Sequence, residues 1–188
     1  MQHRMTIGLV ALMGAMTPAI GVAQTAAPAA PAAATAAPTG QPPAAVTFYG
    51  GNPNSPISGG VVIPQGAAMV WTSGVGPPVA NKEAKPDDPA RWGDTKTQSI
   101  GILKNIESQL KAQGLTMKDV VWIRCYLVAD PAKGNKLDVE GWNAAYREFF
   151  GTAENPTKTA RATIGVAALV VQGWLVEVEA FAVFPPKK

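Results

Sequence analysis

From residue 46 onward the chain alternates short apolar stretches with polar, glycine- and proline-rich breaks. Residues 46–49 predict a short strand, and 50–56 a loop. Residues 57–63 and 68–73 read as two strands joined near Pro64-Gln65-Gly66, the pattern of a hairpin. Gly76-Pro77-Pro78 opens a polar loop that ends near Gly93. Asp94 or Thr95 then caps a helix with apolar positions at Ile100, Leu103, Ile106 and Leu110, stopped by Gly114. Residues 120–128 are rich in strand formers. A second helix is predicted over about 137–150, where Val139, Trp142, Tyr146 and Phe149 recur at helical spacing and form a face for a sheet. Residues 159–166 and 174–184 read as two further strands around a Gln172-Gly173 link. The order β-β-β-α-β-α-β-β fits one mixed α+β sheet with two helices packed on one face. The other face needs cover, and a second subunit supplies it, so an oligomer is expected.

Ahead of this domain (46–188) the texture is different. Residues 1–4 carry positive charge, residues 6–20 are apolar but interrupted by Gly14 and Pro18, and Gly21-Val22-Ala23 offers a small-residue cleavage site. That order reads as a signal peptide, 1–23. The interrupted run falls short of the ~20 residues an uncleaved membrane anchor needs, so no stable membrane insertion is expected after cleavage. Residues 24–45 are Ala, Pro and Thr with no charge; their prolines break helix, and they form a disordered linker. Either they space the domain from a surface or they have no role. An exported protein, periplasmic or secreted, is expected.

Composition narrows the chemistry. At 188 residues there is room for one domain. Lys and Arg number 16 against 13 Asp and Glu, and apart from Arg4 all of them lie from Lys82 onward, so the domain is nearly balanced. No Lys/Arg run interleaves with aromatics, and nucleic acid is not an expected partner. The chain has one His and one Cys, His3 and Cys125, which excludes a Ser-His-Asp triad and a Cys/His metal site.

Three features stand out. In 160–166 a period of two places Arg161, Thr163 and Gly165 on one face. In 175–183 Glu177 and Glu179 share a side. With the two segments read as hairpin-related, a guanidinium and a carboxylate meet across the pair. Either they form an ion pair on a wet sheet face, or Arg161 presents its planar fork to a ligand carboxylate while Glu177 holds or deprotonates a water. Asn143 is an exposed helix position or a ligand contact. Cys125, in an apolar strand without a His, reads as an inert buried thiol, and Trp142 and Tyr146 as core.

Asn155-Pro156, Ala160-Arg161 and Val176-Glu177-Val178-Glu179-Ala180 together resemble the signature of the RidA (YjgF-like) family. Further matches in collinear order are Trp71-Thr72-Ser73-Gly74 with Pro77, Gly93-Asp94 with Gln98 and Asn105, 112–115, and the run 143–150, so that the resemblance spans about 56–184. It implies a chorismate-mutase-like α+β fold, a homotrimer, ligand clefts between subunits, and hydrolysis of enamines and imines to 2-oxo acids and ammonia without a cofactor or metal. By position, Arg161 matches the carboxylate-binding arginine, Glu177 the glutamate that positions water, and Asn143 and Ser73 cleft-lining residues. The deaminase branch has Tyr where Ile57 stands and often Cys where Thr163 stands. The link 167–173 is also more apolar and one residue longer.

Three functions follow in order. The first is an imine or enamine deaminase, a hydrolase acting on C=N bonds. The second is an exported, non-catalytic module that binds a small carboxylate or a protein in the same clefts. The third is a chorismate mutase, which rests on fold analogy alone. A small carboxylate-bearing substrate is the expected partner in the first.

Overall fold

The computed structural model describes residue 40 and residues 42–186. The predicted signal peptide and residues 24–39 and 41 of the predicted linker lie outside the described residues.

The element order is as predicted: β1 (Thr47–Tyr49), β2 (Gly60–Val62), β3 (Met69–Trp71), α1 (Thr95–Ala112), β4 (Val120–Leu127), α2 (Val139–Tyr146), β5 (Ala160–Gly165) and β6 (Val176–Val183). Two pairings differ. The strands form a two-stranded sheet, β1-β2, and a four-stranded sheet in the order β3-β6-β4-β5. The expected 57–63/68–73 hairpin is therefore not made, because each strand finds another partner. β2 pairs with β1, and Gly60 has no Cβ where one would collide with the Tyr49 ring at 2.5 Å. β3 pairs antiparallel with the much longer β6, where Met69, Val70 and Trp71 face Val183, Ala182 and Phe181.

The predicted β5/β6 hairpin is also absent. β4 lies between them, parallel to β5 and antiparallel to β6. Its alternating burial over eight residues makes it the natural central strand. β5 becomes a sheet edge.

Both helices cover one face of the larger sheet. Asp94 caps α1 by accepting from Thr97 N at 2.8 Å, and Gly114 follows its end at φ +75°. The buried stripe runs through Gln98, Ile102, Leu103, Ile106 and Leu110, so Ile102 takes the place expected of Ile100. Fully burying one such aliphatic side chain contributes roughly 1.5–3 kcal/mol. α2 is shorter than predicted: Asp138 starts it by accepting from Gly141 N at 3.0 Å, and turns carry the chain past Arg147. Trp142 and Tyr146 are fully buried, while Val139, placed at the first turn, is exposed. Against the helices, β4 and β6 present Ile123, Cys125, Leu127, Val176, Val178 and Ala180.

The opposite sheet face is open. It carries Trp71, 63% exposed, and Met69, 55% exposed. The Trp71 and Trp122 rings pack on Phe181 at 4.2 and 4.8 Å between centroids.

Candidate functional site

β5 and α2 together position a cation. Arg161 is in register with Ile123, on the helix-covered face, and its neighbour Thr163 is in register with Cys125. The guanidinium lies over the Tyr146 ring, with Cζ 4.6 Å from the centroid, and 5.5 Å from that of Trp142. Its Nη2 donates to Asn143 Oδ1 at 2.7 Å. Its Nη1 is buried with no hydrogen-bond partner. Among the described residues no carboxylate comes within 4.0 Å of it. Burial pulls this guanidinium below the ordinary arginine range, partly offset by Tyr146 and Cys125.

The platform beneath it is fixed from below. Tyr146 Oη accepts from Thr159 N at 3.2 Å and pairs with Thr159 Oγ1 at 2.9 Å. Trp142 Nε1 donates to Thr163 Oγ1 at 3.3 Å. Burial pushes the Cys125 thiol far up, in keeping with an inert group.

Glu177 is elsewhere. It is in register with Tyr126, and Glu179 with Arg124, on the open face of the sheet. Arg161 and Glu177 therefore point to opposite sides, and the expected meeting across a strand pair does not occur within one chain. The carboxylate that finds a guanidinium is Glu179, 3.3 Å from Arg124 Nη1. Glu177 has no Lys or Arg within 4.0 Å among the described residues. It lies against Gly74, the residue after exposed Ser73, where a Cβ would come within 2.2 Å of its Oε1. β3 and β5 are the two edges of the sheet, so Ser73 and Arg161 are three strand spacings apart, about 14 Å.

Of the six residues singled out from sequence, the fold gathers Arg161, Asn143 and Thr163 at one place and sets Glu177 apart from them, on the other face of the sheet. Ile57 packs half-buried against the core, its loop tied to the residue just ahead of β5, where Ser58 N donates to Thr159 O at 3.2 Å. Sequence reasoning missed the aromatic seat: Trp142 and Tyr146 are core, and they also carry the cation. The signal was their spacing of four with Asn143 beside them. A larger cavity, about 630 Å³, lies between Phe48, Phe184 and Lys118 and contains none of the six.

The arrangement is a desolvated, always-charged fork with one nitrogen held by an amide and another free. A fork of this kind can receive a planar anion such as a carboxylate.

Comparison with known proteins agrees in fold. The sequence model described as "Endoribonuclease L-PSP" matches residues 63–184. A RutC family protein of Pyrococcus horikoshii is 33% identical over 90 residues, which are 48% of this chain and 63% of that protein. The match thus spans less than two thirds of that relative. A Rid-family protein of unknown function from Yersinia pestis, YyfB, has a solved structure that superposes with a TM-score of 0.51 at 27% identity, over 68% of this chain and 86% of that one. The YjgF gene product of E. coli is 30% identical over 61% of this chain and 80% of its own, with a TM-score of 0.45.

Proposed function

The chain belongs to the endoribonuclease L-PSP family, the RidA/YjgF proteins, and from that premise we propose that it hydrolyses 2-imino acids, and the enamines in equilibrium with them, to 2-oxo acids and ammonia. The observation that carries this is Arg161, a half-buried cation whose buried Nη1 has no hydrogen-bond partner and which has no carboxylate partner among the described residues. It binds the substrate carboxylate in the plane of its fork, with Asn143 holding the other side. An imine carbon is already electrophilic, so the protein has only to fix the acid and aim a water. Water oxygen adds to the imine carbon, the C–N bond breaks, and nitrogen leaves as ammonia with the protons of that water. Glu177 holds the water and relays its proton; positioned acid–base groups contribute roughly 10²–10⁴-fold.

Since Arg161 and Glu177 face opposite sides of one sheet, the site is completed between copies: Arg161 from the β5 edge of one, Glu177 from the open face of another. A homotrimer is the assembly we propose, with no resident cofactor. Residues 1–23 would export the chain before it acts. RNA cleavage, which the family description names, draws no support from the nearly balanced charge of the domain.

The test is ammonia release from imines generated in place by an amino-acid oxidase. Added protein should speed release, and Arg161→Ala should abolish the gain; equal rates for both would overturn the reading. The second reading, a binding module without turnover, is favoured by Thr163, which already holds Trp142 Nε1. Calorimetric binding of 2-oxo acids with no acceleration would select it.

A further inference from the structure

The link from β5 to β6 is apolar, Ala167-Ala168-Leu169-Val170-Val171-Gln172-Gly173, and its base is pinned. Gln98 is buried on α1; its Nε2 donates to Gly93 O and Gly173 O, each at 3.0 Å, and its Oε1 accepts from Leu175 N at 2.8 Å. The Trp174 ring meets Trp92 edge-on at 5.8 Å, and Trp174 N donates to Val171 O at 3.2 Å. Outside this clamp Val170 stands 88% exposed. Together with Val166, Ala168 and Leu169 it borders a wide-open surface depression of about 430 Å³ whose polar members are Tyr126 and Glu177.

A single exposed valine needs no explanation. Several apolar side chains in a row, on a fixed loop and facing an uncompensated carboxylate, form a wall with a polar group at its foot, the usual make-up of a small-ligand site. On the proposed reading the carbon chain of the substrate lies along this wall, with Glu177 and its water at the foot.

We propose that residues 166–170 select the substrate side chain, and that the site takes 2-imino acids with branched aliphatic side chains, such as that derived from leucine, over the smallest, derived from alanine. This rests on the reading that an imino acid binds where Arg161 and Glu177 meet between copies. One methylene in an apolar pocket discriminates by roughly 10–200-fold, so a preference of at least about tenfold is expected.

The experiment compares kcat/KM of the full chain for the leucine-derived and alanine-derived imines. The ratio should favour the former by about tenfold or more and fall about fivefold or more in Val170→Ser, while Val62→Ser, on β2, leaves it unchanged. A ratio near one, or a ratio that Val170→Ser does not move, overturns the proposal while deamination itself stands. If no imine is hydrolysed, the deaminase reading falls and calorimetry with 4-methyl-2-oxopentanoate and pyruvate reads the same ratio. A preference lost in Val170→Ser then sustains the wall, and equal or undetectable binding of both acids overturns it. Loss of assembly mass by light scattering in Val170→Ser would show the tip to be a contact between copies, which also overturns it.

Discussion

Arg161 is held without being neutralised. Buried charges are ordinarily paired, and removing one member of a buried pair costs about 3–5 kcal/mol because the other is stranded. Here no carboxylate would be stranded, and a buried nitrogen with no partner would disappear. Arg161→Met should therefore unfold within about 1 kcal/mol of the wild type in urea, whereas a loss of 3 kcal/mol or more would reveal an ion pair. The same residue explains what sequence made visible. Its type and the alternation of 160–166 were enough to single it out, as one half of an ion pair or as the anchor of a ligand carboxylate. Its isolation from Glu177 was not legible, because that depends on β4 passing between two strands adjacent in the chain.

The elements repeat this division. Caps and stops were readable because their chemistry is local: Asp94 before α1 and Gly114 after it occupy the places their side chains dictate. Pairing was not, since 57–63 and 68–73 both carry strand-forming residues and the choice of partner rests on β6 and on a ring lying over Gly60. The extent of α2 was overread because Phe149 and Phe150 keep the apolar rhythm in turns beyond the helix, where Phe150 is still buried. The Asp94 cap also sets a pH dependence. Its hydrogen bonds to Thr97 lower the carboxyl pKa, so its stabilisation is complete above the unfolded value near 3.8 and is lost as pH falls through the lower folded value. Asp94→Ala should cost about 1 kcal/mol at pH 7. The gap between the two proteins should narrow in denaturation curves taken at successively lower pH beneath 3.8; a gap that stays constant there would mean that charge is not what the cap contributes.

For the whole molecule, the proposed assembly puts its weight on the open sheet face. Trp71 and Met69 protrude beside Phe181 and Trp122 on the side away from the helices, an apolar patch of the sort that marks an interface. Light scattering of the full chain should give three times the protomer mass, and Trp71→Asp should reduce it to one. A wild-type monomer with catalytic activity would remove the need for a shared cleft.

The Gln98 amide spends its three hydrogen bonds on backbone atoms alone: two carbonyls and one N–H. No side chain between residues 167 and 172 is needed to keep that fastening closed. Mutation can therefore rewrite this stretch without disturbing the helix or the strand it joins. Descendants of this chain have a segment open to drift, and if the proposed specificity resides there, a new diet of metabolites comes with little risk to foldability.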